Sequence, residues 1–403
     1  MLQALQGVRI VDMSHVIAGP LASFYLAQLG AEVIKIESPE GGDVLRGPRT
    51  APTDTPDGFV ALNAGKHSVA VDVRTPEGAQ AVRDLARTAD VFIENFRPGV
   101  VKRLGLDEPA IRAVNPGIVY CSISGFGQQG EWSGRGAYDH VVQALTGMMM
   151  MSGDDPQGPP VKVGFPVVDV AVGLLAAMAI SAALHQRARD GQGQTIDASM
   201  VQAALMLMYP NVSAFLSSGV EPQRIGNRGY SGSPTADTYR CRDGWLSTAA
   251  NTPAQFRKLA KVLGLEALCE DGRALDLDAF NSDGGFVVAR DVPYLRAQFA
   301  QAFAQRSAAE MEERLNAVGV PAARVRKLGE FLREVQDGDK LPLPGLQFEQ
   351  DGRTVRTSGL GFRPGAAVPA GPRPGAESLG ASTRRLLEEA AATRREHVPS
   401  PGS

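Results

Sequence analysis

The sequence predicts an α/β fold: a doubly wound, mostly parallel sheet joined to a smaller α+β domain. Short apolar runs rich in β-branched residues alternate with helix-like runs through the first 200 residues. Glycine- and proline-bearing turns follow those runs where strands hand over to helices. Beyond Gly226 the alternation gives way to a hairpin and three helices. Alternation of this kind builds a parallel sheet covered by helices on both faces.

Val8 to Asp12 reads as a short apolar strand, and Pro20 to Leu29 as a helix stopped by Gly30. Ala31 to Glu37 and Ser68 to Val73 are further strands. Thr75-Pro76-Glu77-Gly78 opens a helix that runs to about Thr88, with a cap residue followed by Pro at the first helical position. Val91 to Phe96 and Ile118 to Ser124 add two more strands. A long apolar helix is expected from about Val168 to Arg189, broken by Gly191-Gln192-Gly193, and Ile196 to Met200 leads into another that ends near Ser217. Gly226 to Pro234 is a turn-rich linker, and Asp237 to Ala250 a hairpin around Arg242-Asp243-Gly244. Helices follow near Pro253–Leu263, Tyr294–Gln305 and Ala308–Val318. Residues 341–375 read as extended surface chain, Glu377 to Ala391 as holding a short amphipathic helix, and the last ten residues as disordered. The large domain is therefore 1–225, completed by about 326–403, and the small domain is 226–325.

The chain has 403 residues, of which 43% are hydrophobic and 21% charged, so it can bury a large core. A net charge of −3 argues against a nucleic-acid partner, which usually demands a basic surface. Arginine dominates the positive charge, which suits clamping phosphates or carboxylates and equally fits codon bias. Cys121, Cys241 and Cys269 form no metal-ligand pattern and fit a reducing compartment. No signal peptide is evident, and the apolar run Val170 to Leu184 is too short to cross a bilayer, so no membrane partner is expected. A cytoplasmic enzyme follows as the expectation.

In open parallel sheets ligands bind beyond the carboxyl ends of the strands. Those ends fall at Asp12 to Pro20, Asn95 to Gly99 and Gly125 to Gly130. The small residues of His15-Val16-Ile17-Ala18-Gly19-Pro20 let backbone N–H groups approach an anion; a plain tight turn is the alternative. Asn95 can hydrogen-bond a base or amide, and Phe96 can stack on a ring. Gly125-Phe126-Gly127-Gln128-Gln129-Gly130 matches the dinucleotide fingerprint literally, but no helix opens inside it, so it reads as a loop beside a ligand. His140 follows Asp139 on a helix and reads as structural. Asp169 precedes the apolar run Leu174 to Leu184. A carboxylate there is either a helix N-cap or a partly desolvated nucleophile kept ionised by the helix N-terminus.

The ordered set HVIAGPLAS, LGAEVIKIE, TPEG, ADVFIENFRPGV, SISGFGQQG, YDHVVQALTG and Asp169 before an Ala/Leu helix resembles the class III CoA-transferases of the formyl-CoA transferase and carnitine CoA-transferase type. That family also contains the α-methylacyl-CoA racemases. The resemblance covers about residues 5–335 and is strongest over 5–200. It implies a Rossmann-like large domain, interlocked homodimers, coenzyme A and acyl-CoA as substrates with a carboxylic acid as acceptor, and no metal or other cofactor. It makes Asp169 the nucleophile, carrying CoA through a covalent aspartyl-CoA intermediate. It places CoA contacts at His15, Ile17 and Ala18, at Val71 to Arg74, at Asn95, Phe96 and Arg97, at Arg103, and at Ala137 and Tyr138. Two positions depart from the family. Ile17 stands where some transferases carry Gln, and Ser38 where some members carry Arg, so Arg46 or Arg49 would have to supply that phosphate contact. The racemases carry His directly before the Asp that is Asp139 here, whereas this chain has Tyr138. This leaves proton transfer at Cα as the alternative reaction. A non-catalytic acyl-CoA-binding protein is a third reading, and the retained Asp169 argues against it.

Overall fold

The computed structural model describes residues 3–47, 55–155, 157–229, 233–282, 284–338, 340–343, 345–362 and 371–397. The chain forms two compact units: Met1–Met149 with Lys162–Val220 and Leu343–Ser403, and Met150–Val161 with Glu221–Pro342.

The first unit is built on a six-stranded sheet of β1 (Arg9–Asp12), β2 (Glu32–Glu37), β3 (His67–Ala70), β4 (Val91–Glu94), β5 (Val119–Ser124) and β6 (Thr195–Ser199). The spatial order is β3-β2-β1-β4-β5-β6 and every pairing is parallel. Val11, Ile34, Phe92 and Tyr120 pack on one face under the Pro76–Ala86 and Thr383–His397 helices, through Val82, Leu85, Leu386 and Ala390. The alternate residues point to the opposite face. There the Ala18–Gln28 and Val167–Asp190 helices lie against the strands and against each other. Strands buried on both faces need apolar interiors, which Ile10-Val11 and Val91-Phe92-Ile93 provide, while buried Asp12 and Glu94 end the two strands.

The contact between those two helices is unusually close at Gly173. A Cβ there would stand 2.6 Å from the Ala18 carbonyl oxygen and 3.2 Å from the Leu21 side chain. Only glycine permits this approach. Because Asp169 is one helical turn before Gly173, the approach sets Asp169 beside the chain that enters the Ala18–Gln28 helix. The Val167–Asp190 helix is long and apolar enough to cross a membrane by composition. Half of its apolar window is buried in the protein, so it serves as a core helix.

Three expectations from the sequence are corrected. Thr195–Ser199, read only as the lead-in to the helix that does start at Met200, is itself a sixth strand. As an edge strand with alternate residues exposed it needs no apolar run, so TIDAS conceals it. The helix read to Ser217 is two, Met200–Leu207 and Tyr209–Ser218, bent by 85° where Pro210 cannot donate to the preceding turn. Within 341–375, Gly345–Gln350 and Arg353–Ser358 form an antiparallel hairpin. Asp351 and Gly352 turn it with φ of 51° and 76°, the two left-handed residues of a tight hairpin turn. Of the last ten residues, 394–397 extend the C-terminal helix and the rest lie outside the described residues, as do Arg49 and residues 230–232 of the turn-rich linker.

The C-terminal segment completes the open edge of β3. Glu377 accepts the Ser68 N–H at 2.8 Å, the Ser68 carbonyl accepts the Ser382 N–H at 3.0 Å, and Thr383 Oγ1 accepts the Ala70 N–H at 2.9 Å. The second unit holds a sheet of Ala236–Cys241, Gly244–Ala249 and Ala322–Arg324, all antiparallel. Helices Pro253–Leu263, Val292–Ala304 and Ala308–Ala317 surround a core that includes Phe256, Phe280, Phe299 and Phe303.

Gly173→Ala should cost about 1–3 kcal/mol by overpacking a contact between two backbones. Chemical denaturation checks this, and an unchanged midpoint would mean that the two helices can part without cost.

Candidate active site

The sheet reverses direction between β1 and β4, the place where such folds leave a crevice beyond the strand ends. A cavity of about 390 Å³ lies there. It is lined by His15, Val16, Ile17 and Ala18 after β1, by Asn95, Phe96, Arg97, Pro98 and Val100 after β4, and by Ile123, Ser124 and Gly125 at the end of β5. Arg135, Ala137, Tyr138, Asp169 and Met200 complete the wall. Nine residues proposed from the sequence thus meet in one place: His15, Ile17, Ala18, Asn95, Phe96, Arg97, Ala137, Tyr138 and Asp169.

Asp169 is the third residue of its helix, and the cap position is Pro166, so the N-cap reading does not describe it. The cap is supplied from elsewhere. Asp139, buried at the start of the Asp139–Leu145 helix, accepts the N–H groups of Val168 at 2.7 Å and Asp169 at 3.0 Å through Oδ2. Its Oδ1 accepts from the Gln143 amide at 2.5 Å, and Gln143 Oε1 accepts the Val163 N–H at 2.9 Å. The Asp169 carboxylate has no hydrogen-bond partner among the described residues. Burial, with a smaller contribution from the Asp139 charge, pushes its pKa up to about 6. At pH 7 it is therefore still mostly ionised, by roughly ten to one. A free, half-buried carboxylate facing a cavity is suited to nucleophilic attack on an acyl carbon.

The turn after β1 is held by side chains outside it. Asn95 clamps His15, accepting its N–H at 3.0 Å and donating to its carbonyl at 2.8 Å. Asn95 thus spends one of its two amide hydrogens and one oxygen lone pair on the protein. Val16 has φ of 69°, a left-handed conformation that costs a β-branched residue about 1–2 kcal/mol. Buried Asp43 accepts its N–H at 3.1 Å. Burial holds the His15 imidazole below its usual pKa, so it is neutral at pH 7, and its ring lies 5.2 Å from that of Phe96. Glu94, at the end of β4, accepts the Phe96 N–H at 2.9 Å and the Ser122 hydroxyl, and burial pushes it up to about 7.

The remaining proposed residues do not line the cavity. Val71 is buried and donates its N–H to Glu37. Arg74 is exposed and paired with Asp72 at 2.8 Å and Glu40 at 3.2 Å. Arg103 is exposed and has no ion-pair partner among the described residues. Arg46 is not available in place of the arginine missing at Ser38. It makes two bonds to Glu37, at 2.6 and 2.7 Å, and lies over the Phe59 ring. The GFGQQG segment is a loop in which Gly127 and Gly130 have φ of 87° and 91°, and no helix opens within it. His140 stacks on Tyr138 with ring centroids 6.3 Å apart and does not line the cavity.

Sequence reasoning did not find Arg135, Asp139 as the cap, or Asp43. Arg135 lies over the Trp132 ring and has no carboxylate partner among the described residues. The cap has a local signal, since Asp139 and Gln143 are spaced four apart on one helix face.

The sequence profile of CoA-transferase family III matches residues 5–340. The chain is 40% identical over 276 residues to the succinate–glutarate CoA-transferase of Agrobacterium fabrum, covering 67% of this chain and 68% of that one. It is 38% identical to the succinyl-CoA:glutarate CoA-transferase of Mus musculus, covering 67% of this chain and 62% of the mouse protein. It is 34% identical over 328 residues to the acetyl-CoA:oxalate CoA-transferase of Acetobacter aceti, covering 80% of this chain and 81% of that one. A CaiB/BaiF family protein from Brucella suis has a solved structure that superposes with a TM-score of 0.81 at 31% identity, covering 97% of this chain and all of the other. With its parallel sheet, its cavity at the β1/β4 crevice and a match over most of its length, the chain belongs to CoA-transferase family III.

Proposed function

We propose that this enzyme moves CoA from an acyl-CoA donor to a carboxylic acid acceptor through a covalent intermediate on Asp169. The observation that carries the reading is the Asp169 carboxylate on the cavity wall, without a hydrogen-bond partner among the described residues, at a helix terminus capped by a different aspartate. A carboxylate oxygen attacks the thioester carbon, the C–S bond breaks, and CoA leaves as thiolate. The product is an aspartyl–acyl anhydride. The thiolate attacks the aspartyl carbonyl and expels the donor carboxylate, leaving an aspartyl-CoA thioester. The acceptor carboxylate attacks that thioester, and the same steps run in reverse. No net proton is consumed, so the site needs no general acid.

The guanidinium groups of Arg97 and Arg135, which have no carboxylate partner among the described residues, suit the anionic groups of such substrates. The similar proteins carry names that specify succinate, glutarate and oxalate, which supports a small dicarboxylate as acceptor. Proton transfer at Cα requires a base where this chain has Tyr138, and neighbouring His140 stays outside the cavity lining, so nothing favours the racemase reaction. We also propose a cytoplasmic homodimer. Its support within the first unit is the apolar surface of Leu205, Met206, Leu207, Tyr209, Phe215 and Leu216, with Tyr209 68% and Leu216 78% exposed.

Asp169→Asn should lower transfer by about 10⁴ or more while CoA still binds, and wild type given acyl-CoA should gain a hydroxylamine-sensitive adduct at residue 169. Near-normal turnover of the variant would remove the nucleophile from this scheme. The carboxylate is the attacking form, so kcat/KM should fall as pH drops through about 6. Asp139→Asn keeps a capping oxygen but removes a negative charge, so the acid limb should move to lower pH; a limb that stays in place would mean that Asp139 does not act on it. In sedimentation, the protein at micromolar concentration should run as a dimer with an interface larger than the ~1,600 Å² standard. A stable monomer would rule this out.

A further inference from the structure

Val16 is one of two described non-glycine residues with positive φ, and it lies on the cavity wall. A strained turn persists only when its surroundings hold it. No side chain within the Ser14–Ala18 turn holds Val16. Its N–H is taken by Asp43, through Oδ2 at 3.1 Å and Oδ1 at 3.3 Å. The same carboxylate accepts Lys35 Nζ at 3.1 Å and the Leu45 N–H at 3.0 Å. Lys35 in turn donates to the Ser14 carbonyl at 2.9 Å. Both side chains are buried, Asp43 at 1% and Lys35 at 2% exposure, so water does not compete for these bonds. Asn95 holds His15 between the two points. Three consecutive residues of the turn are therefore fixed by groups from β2, from the loop after it and from the end of β4.

We infer that Asp43 is a positioning residue of the transferase: paired with Lys35, it holds the Ser14–Ala18 turn in the strained form that lines the Asp169 cavity, so that the CoA-thioester site is set before substrate arrives. The inference rests on the reading of this cavity as the CoA site. It assigns Asp43 no contact with substrate. Its role is to act through the Val16 backbone.

The test uses the full chain with Asp43→Asn, Val16→Gly and the double variant. CoA binding is read by calorimetry without any acyl group, kcat/KM by acyl transfer, and folding by circular dichroism. Asp43→Asn should weaken CoA binding and lower kcat/KM by about tenfold or more in folded protein. Glycine adopts φ near 69° without strain. Val16→Gly should therefore raise both quantities by about threefold in the Asp43→Asn background and should not raise them in wild type. Should Asp43→Asn not fold, Asp43→Glu keeps the charge beside Lys35 and displaces it by a methylene, and the same coupling is expected. Unchanged CoA affinity in a folded Asp43 variant, or an equal effect of Val16→Gly in both backgrounds, would overturn the inference. CoA affinity does not depend on Asp169 chemistry, so failure of the nucleophile assignment would be seen separately, as turnover surviving in Asp169→Asn.

Discussion

The Asp169 edge of the cavity depends on one carboxylate accepting two backbone N–H groups, those of Val168 and Asp169, from a neighbouring helix. A helix that begins at a cavity leaves its first donors exposed to whatever enters. Had the first-turn carboxylate satisfied them itself, it would have been spent on structure. Asp139 does this instead, and among the described residues no donor or cation engages the Asp169 oxygens. The cost is electrostatic: two carboxylates share a half-buried region, and both burial and the neighbouring charge raise the pKa of Asp169. A raised pKa means that ionising Asp169 weakens the fold. That stability is present below its unfolded value, near 4, and is lost as pH rises through about 6. The ionised form of this cavity wall is thus its locally less stable form.

A second set of buried charges supports the turn on the facing wall. Lys66 is fully enclosed and donates to Asp12 at 3.3 Å, the Pro20 carbonyl at 2.9 Å, Ser23 at 2.8 Å and Asn63 at 3.0 Å. Burial, offset by Asp12, brings its pKa down to about 7. Ser14 and Ser23 donate to Asp12 in addition. Buried ions rarely add net stability, but removing one partner is costly because the other is left uncompensated. A network of this kind locks geometry, and what it surrounds here is the strand end and helix start that carry His15, Ile17 and Ala18.

Much of this was legible in the residues. The apolar runs of β1, β2, β4 and β5 announce buried parallel strands, and His15, Asn95, Phe96, Arg97 and Asp169 fall at strand and helix ends where such a sheet binds ligands. Other elements were hidden for identifiable reasons. Thr195–Ser199 is a half-exposed edge strand and carries no apolar signature. The hairpin at Asp351-Gly352 sits in a segment whose Pro and Gly content suggests irregular chain, although Asp-Gly is itself a hairpin signal. Asp139 and Asp43 act through bonds to residues 27 to 30 positions away; the Asp139/Gln143 spacing is visible on one helix face, but nothing local names the distant donors. Arg46 shows the converse: its type fits phosphate binding, yet Glu37 holds it.

The finishing of β3 by residues 377–383 bears on how the chain is made. β3 is an edge of the large sheet, and its outward backbone groups wait for partners about 310 residues later in the chain. During synthesis the sheet can assemble once β6 has emerged, but its Ser68–Ala70 edge stays unpaired until residues 377–383 have followed, about 180 residues later. An open, parallel, apolar sheet edge is a template for pairing with other nascent chains. Truncations near the C-terminus would therefore show themselves first as aggregation during expression, well before any effect on the distant cavity could be measured.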